Sequence, residues 1–388
     1  MPPTYSHSPH PDGRSSARTS RRRFLQTMTA AASSVVLTNC ARNLSNPSAA
    51  NSPTAGSPSP GGNGNTLYVY TWANYTDEEL LKNFEAKTGI RTVVDIFDSN
   101  EAMLAKVEAG GANAYSVIFP SDYIVAEMLD KGLLTELDRS RLPGLSNLNP
   151  KWSNPTYDPN NAHSVPATWG TTGLIYDPAR VNGKTVTDWN FLWQNKGSLT
   201  RRVTLINDVR EVMGATLRSL GFSYNAKDPK QIEQAYRKLV ELKPAIASFL
   251  TNGWEDQLAS GDLSVSMAYS SDAISLIEEQ SSLEYVIPRS GTSIWTDTMV
   301  IPRSAPNPDA AYEWINFMLD PANAASVVER LNFATPNKIA FEKLPTNIRN
   351  NSSLYPPEDV LAKCEGISPV PPEVADVYDR FWTQLTSA

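Results

Sequence analysis

Cysteine and histidine are scarce in this sequence, with two cysteines, Cys40 and Cys364, and three histidines in 388 residues. A disulfide-stapled scaffold and a zinc cluster built from Cys and His are thereby excluded. His163 is the one histidine beyond residue 64, so a His-dependent hydrolase has almost no material. The chain also lacks a G-x-S-x-G elbow, an H-E-x-x-H pair and a P-loop. Hydrophobic residues make up 40%, too few for a multi-span membrane protein. No basic excess exists either: 34 Lys+Arg stand against 41 Asp+Glu, a net of −7. A nucleic-acid partner, usually met by a basic stripe, is disfavoured.

The charge is unevenly placed. Residues 1–64 carry six arginines, no lysine and the single acid Asp12, which leaves the rest of the chain at −12. Ser20-Arg21-Arg22-Arg23-Phe24-Leu25 precedes a short, weakly apolar stretch and then Leu37-Thr38-Asn39-Cys40. A basic segment, a short apolar segment and small residues predict a secretory signal over 1–40, too short to span a bilayer stably. An N-terminal amphipathic helix of the folded domain is the other reading, but nothing afterwards continues its periodicity. The paired arginines resemble a twin-arginine export signal. Leu37–Cys40 resembles a lipoprotein box with Cys40 as the acylated residue, although Asn39 departs from the small residue usual there. Residues 41–64, rich in Ser, Pro, Asn, Ala and Gly, read as a flexible linker.

Folded sequence begins near Asn65. Leu67, Val69 and Thr71 alternate with Tyr68, Tyr70 and Trp72, a strand pattern. Thr76-Asp77-Glu78-Glu79 reads as a capping box, and Thr88-Gly89 closes the helix it opens. A strand over 90–97, a helix over 100–109 and a strand over 116–119 follow. This β-α-β-α-β order predicts an α/β fold with a mostly parallel sheet flanked by helices. Further strands are expected at 202–206, 263–269 and 295–301, and helices at 208–220, 229–242, 309–319 and 322–331.

In open α/β sheets ligands bind beyond the carboxyl ends of strands. Five polar-aromatic segments fall at or near such ends: Trp72-Ala73-Asn74-Tyr75, Ser121-Asp122-Tyr123, Asp208-Val209-Arg210-Glu211, Tyr269-Ser270-Ser271-Asp272 and Trp295-Thr296-Asp297. Four of them pair an aromatic with an acidic or amide side chain. That combination suits an organic cation, because carboxylates neutralise ammonium groups while aromatic faces attract the charge and cover its apolar stem. Each residue also has a structural role open to it. Asp208 and Glu211 at a helix start serve as cap and dipole complement. Trp72 and Trp295 are ordinary core aromatics, Tyr75 and Tyr123 are undecided, and Asp297 fits a surface turn. Their joint placement, not any one of them, points to a site.

These motifs, in this order over 65–388, resemble the bacterial spermidine/putrescine-binding proteins of polyamine ABC transporters. The resemblance is carried by the run from Tyr68 to Tyr75, Ser99-Asn100-Glu101, Pro120–Tyr123, Asp208–Val212, Trp295–Asp297 and Thr335-Pro336-Asn337. It implies a two-lobe (type II) periplasmic binding fold with the ligand in the interlobe cleft, residues 65–172 plus 294–342 forming one lobe and 173–293 plus 343–388 the other. It implies that Trp72, Tyr75, Ser121 and Tyr123 wall the first lobe and that Asp208 and Glu211 face them. Tyr269 replaces an indole packed on the methylene chain, and Asp272 matches a carboxylate of putrescine-binding relatives. Trp295 and Asp297 complete the box, with Asp297 the first choice for holding an ammonium. Asn74 stands where spermidine binders often carry Glu, Phe333 where a Tyr is common, and Ser368 near a ligand-reaching glutamine.

The expected protein is therefore an exported, monomeric polyamine carrier serving an ABC permease. It has no cofactor or metal, performs no covalent chemistry and touches the membrane only through a lipid on Cys40. Two alternatives stay open. One is the same fold binding another organic cation, an amino acid or a sugar. The other is an extracytoplasmic enzyme relying on carboxylates alone, since two acids suffice for a glycosidase.

Overall fold

The protein is described by a computed structural model, which covers residues 65–387. The export signal, the linker and Cys40 lie outside the described residues. Ten strands form the sheet: β1 (Thr66–Trp72), β2 (Arg91–Phe97), β3 (Val117–Ile118), β4 (Ser164–Tyr176), β5 (Val203–Leu205), β6 (Ile246–Phe249), β7 (Val265–Tyr269), β8 (Glu284–Val286), β9 (Ser293–Val300) and β10 (Glu365–Gly366). Their order is β2-β1-β3-β9-β4-β7-β5-β6, with β10 beside β9 and β8 beside β4.

The parallel arrangement expected from strand–helix alternation holds for β1 with β2 and β3, and for β5 with β6 and β7. β9 runs antiparallel to β3 and β4, and β4 antiparallel to β7 and β8, so the sheet as a whole is mixed. β4 changes partner along its length. Its residues 164–171 pair with β9, and its residues 172–176 pair with β7.

Local sequence explains the first elements. Alternation buries Leu67 and Val69 of β1 completely. The helix Glu78–Thr88 starts at Asp77, whose carboxylate accepts the Leu80 N–H at 2.7 Å. The N-cap is thus Asp77 and not Thr76, one residue later than the capping-box reading. That helix ends at Gly89, at φ 72, where a residue without Cβ adopts the left-handed turn freely. Its Phe84 packs edge-on against Trp314 at 5.0 Å.

β4 has no counterpart among the sequence expectations. It contains Pro166, Gly170 and Gly173, residues that ordinarily argue against a strand, and its burial on both faces erases alternation. The short β6 and β8 were likewise not anticipated.

Candidate functional site

Two of the loops that approach the cleft are fixed by backbone contacts. β1 ends at Trp72, whose indole N–H donates to Phe119 O at 2.9 Å. After β3, Pro120 O accepts the Thr298 N–H at 2.9 Å, which ties Ser121 to β9 beside Asp297. Ser121 starts the helix Asp122–Asp130, Asp208 starts Val209–Ser219, and Tyr269 starts Ser270–Glu279. Trp295 and Asp297 sit inside β9 and not at a strand end; their i, i+2 spacing puts them on one face.

These segments enclose one cavity of about 660 Å³ of space between atoms, its open mouth included. Twelve of the thirteen candidate residues line it: Trp72, Tyr75, Ser121, Asp122, Tyr123, Asp208, Glu211, Tyr269, Asp272, Trp295, Asp297 and Phe333. Five carry carboxyl groups, six are aromatic, and no Lys, Arg or His is among the lining residues.

Asn74 is the exception. It is exposed in a left-handed turn at φ 64 and does not line the cavity. The loop bends there, so Tyr75 points back to the cleft while Asn74 meets solvent. Ser368 is also exposed and away from the cavity, because its N–H is engaged by Asn225 Oδ1 at 2.8 Å. Arg210 is buried but does not line the cavity; it donates to Asn225 Oδ1 at 3.2 Å and to Ser368 O at 3.1 Å.

Asp297 is held from two sides. Ser121 Oγ donates to its Oδ1 at 2.6 Å, and the Tyr75 hydroxyl donates to its Oδ2. Burial pushes this carboxyl up to about 6, while those two hydrogen bonds pull the other way. Asp122, beside it, is pushed well above the usual carboxylate range by burial and by the charge of Asp297.

Across the cleft, Asp208 combines capping with a place in the pocket. Its Oδ1 accepts the N–H groups of Arg210 and Glu211 at 2.8 and 3.0 Å. Burial and the neighbouring Glu211 push it up to about 6. Glu211 is 2% exposed and accepts from Tyr224 at 2.7 Å and from Ser293 at 2.8 Å. Burial raises it, and those hydroxyls oppose the rise.

The aromatic walls are packed on one another. Tyr75 lies 4.4 Å from Phe333, and Tyr269 meets Trp295 edge-on at 5.7 Å. The cleft thus crowds carboxyl groups among aromatic rings, and burial, joined at Asp122 and Asp208 by neighbouring carboxylate charge, raises their proton affinities.

Asn100, Thr251, Asn252, Ser271 and Ile367 also line the cavity, and none was selected from the sequence. Thr251 and Asn252 follow β6, so the strand-end rule would have found them had that short strand been recognised. Asn100 lay within a quoted motif but was not chosen. Among the described residues no group of three or more His, Cys, Asp or Glu is arranged to hold a metal ion.

Comparison with known proteins agrees with this geometry. The family described as bacterial extracellular solute-binding protein matches residues 79–349. The spermidine/putrescine-binding periplasmic protein of Salmonella typhimurium is 35% identical over 320 residues, covering 82% of this chain and 91% of its own. The spermidine/putrescine ABC transporter substrate-binding protein PotD of Streptococcus pneumoniae superposes with a TM-score of 0.72 at 34% identity, covering 83% of this chain and 98% of its own. The lipoprotein TpPotD of Treponema pallidum does so with a TM-score of 0.73 at 28% identity, covering 83% and 100%. With its two α/β lobes and its enclosed acidic cleft, this chain belongs to the bacterial extracellular solute-binding proteins.

Proposed function

We propose that this protein captures a polyamine, putrescine or spermidine, outside the cytoplasmic membrane and delivers it to an ABC permease. One observation carries the reading: five carboxyl groups and six aromatic rings share a cavity that no basic side chain lines. An ammonium group entering there would satisfy the carboxylates, and the rings would cover the methylene chain. Each such hydrogen bond is worth about 1.5–3 kcal/mol and each cation–aromatic contact about 0.5–2 kcal/mol. Several of them offset the ordering of a flexible ligand and leave micromolar or tighter binding. The names of the relatives support the same ligand class.

An amino acid would need a cation for its carboxylate. The nearest candidate, Arg210, is committed to Asn225 and Ser368, which disfavours that ligand. Residues 65–172 plus 294–342 and 173–293 plus 343–388 form the two lobes that open and close; the change of partner along β4 at Thr171 and Thr172 supports this division. The chain acts as a monomer without covalent chemistry, exported by its twin-arginine segment and tethered through a lipid on Cys40. The lipoprotein relative supports the tether.

A thermal-shift screen against polyamines, amino acids and sugars tests the ligand class, since a ligand selective for the folded state raises the melting temperature. Putrescine or spermidine should give the largest shift. A larger shift from an amino acid or a sugar overturns the reading, and turnover of any ligand overturns the binding-only part of it.

A further inference from the structure

Beside the acids already described, the first wall contains a chain of hydrogen bonds whose direction is fixed from a backbone end. Asn100 is 1% exposed and lines the cavity. The Ser121 backbone N–H, which can only donate, reaches Asn100 Oδ1 at 3.1 Å. The amide's other end must therefore be its NH₂ group, and this donates to the Tyr123 hydroxyl oxygen at 3.0 Å. With one lone pair occupied, the hydroxyl proton of Tyr123 goes to Glu101 Oε1, 3.1 Å away. The remaining lone pair of Tyr123 is then left for the cavity that this residue lines.

We infer that Asn100 and Glu101 are positioning residues that orient the Tyr123 hydroxyl and make it a hydrogen-bond acceptor toward the cleft. A ligand end that donates, such as an ammonium, is accepted there, and one that presents a carbonyl or carboxylate oxygen meets a lone pair. Ser121 and Tyr75 have their own protons committed to Asp297. These three hydroxyls thus present acceptors, and the polarity of this part of the site comes from hydroxyl orientation as well as from net charge. The inference rests on the polyamine reading only for the identity of the ligand.

Glu101 is the element that can reverse this. Glu101 is an exposed residue that does not line the cavity, and its carboxyl is pushed up to about 7 by partial desolvation against the fold, by Asp208 across the cleft and by Asp379 of the helix Pro372–Thr386. The charged groups felt by Tyr123 itself are Glu101, Asp208 and Arg210. When Glu101 takes up a proton it becomes a donor, and the Tyr123 hydroxyl is released from its fixed orientation.

Two measurements on the full chain test the inference. The first needs no ligand: tyrosine is labelled with ¹³C at Cζ, and the Tyr123 resonance is followed against pH. A step near pH 7 is expected in the wild type and should vanish in Glu101→Gln; a wild-type resonance without the step overturns the relay.

The second measures putrescine affinity at pH 8 by calorimetry. Tyr123→Phe and Glu101→Met, which removes the acceptor, should each lose about tenfold, and the double variant should bind no more weakly than Tyr123→Phe. Losses that multiply would mean Glu101 acts on the ligand through charge alone. Asn100→Asp keeps the Ser121 bond, removes the donor to Tyr123 and adds negative charge. The relay predicts weaker binding by about tenfold, and equal or tighter binding overturns it. Should the wild type bind neither putrescine nor spermidine, the polyamine reading fails, and the resonance titration still decides the relay.

Discussion

Gly170 leaves the space that Trp295 fills. The two residues pair across β4 and β9, and a Cβ on Gly170 would lie 2.3 Å from Trp295 Cζ2 and 2.6 Å from Ser270 Oγ. No rotamer of a larger residue fits while the indole stays against the cleft. Gly170→Ala should displace the indole, weaken polyamine binding about tenfold or more and cost about 1–3 kcal/mol of stability. Calorimetry together with tryptophan fluorescence checks this. Unaltered affinity would show that the indole does not form the ligand wall.

Asp297→Asn should weaken polyamine binding by about 10–100-fold, the loss of a charge-assisted hydrogen bond in a buried site. The ligand-free fold should be little affected, because the carboxylate it loses is one that burial already disfavours. Titration calorimetry gives the first quantity and a denaturant melt the second.

Stability and affinity should respond to pH in opposite directions. Asp297 and Asp208 are pushed up to about 6, against about 4 for a carboxyl in an unfolded chain. Between those values the ligand-free fold holds more protons than the unfolded chain. This contribution to stability is fully present below about pH 4 and is lost as pH rises through about 6. A polyamine favours the ionised carboxylates, so its affinity rises over the same interval and binding releases protons. Melts at pH 5 and pH 7, with and without putrescine, check both signs. A ligand-induced gain no larger at pH 7 than at pH 5 contradicts the account.

Ser293→Ala and Tyr224→Phe each remove a hydroxyl that supports the charged form of Glu211. Either change should raise the proton affinity of that buried carboxyl and move the pH midpoint of polyamine binding upward. Affinity measured from pH 5 to pH 9 reads the midpoint directly. A midpoint that stays in place would remove Glu211 from the binding equilibrium.

Asn74→Glu should leave the ratio of spermidine to putrescine affinity within about twofold, because residue 74 faces solvent outside the cavity. It should cost about 1 kcal/mol of stability, since the left-handed backbone at φ 64 suits Asn better than Glu. Competition binding with both polyamines measures the ratio.

Periodicity and strand-end chemistry were legible because they are local. Alternation marked β1, and a carboxylate or aromatic beside a strand end marked Tyr75, Ser121, Asp208 and Tyr269. β4 was not legible: burial on both faces removes alternation, and its Pro166, Gly170 and Gly173 imitate a loop. With β4 missing, the antiparallel course of β9 could not be foreseen, and Trp295 and Asp297, at the start of the strand expected over 295–301, were counted at or near a strand end when they lie inside β9. Asn74 was misplaced for a related reason. Sequence neighbours of a site residue look alike on paper, and here a left-handed turn at Asn74 leaves it in solvent while Tyr75 lines the cleft.

The hydrogen bond from Tyr75 to Asp297 spans 222 residues of chain, and the one from Ser121 spans 176. The ligand cavity is therefore among the last parts of the molecule to exist. A ribosome that has delivered β1, β3 and β4 has made most of one wall, yet its central acid is still unsynthesised. Capture of ligand by a partly made chain is ruled out by order of manufacture, and topology alone delays binding until the sheet has closed.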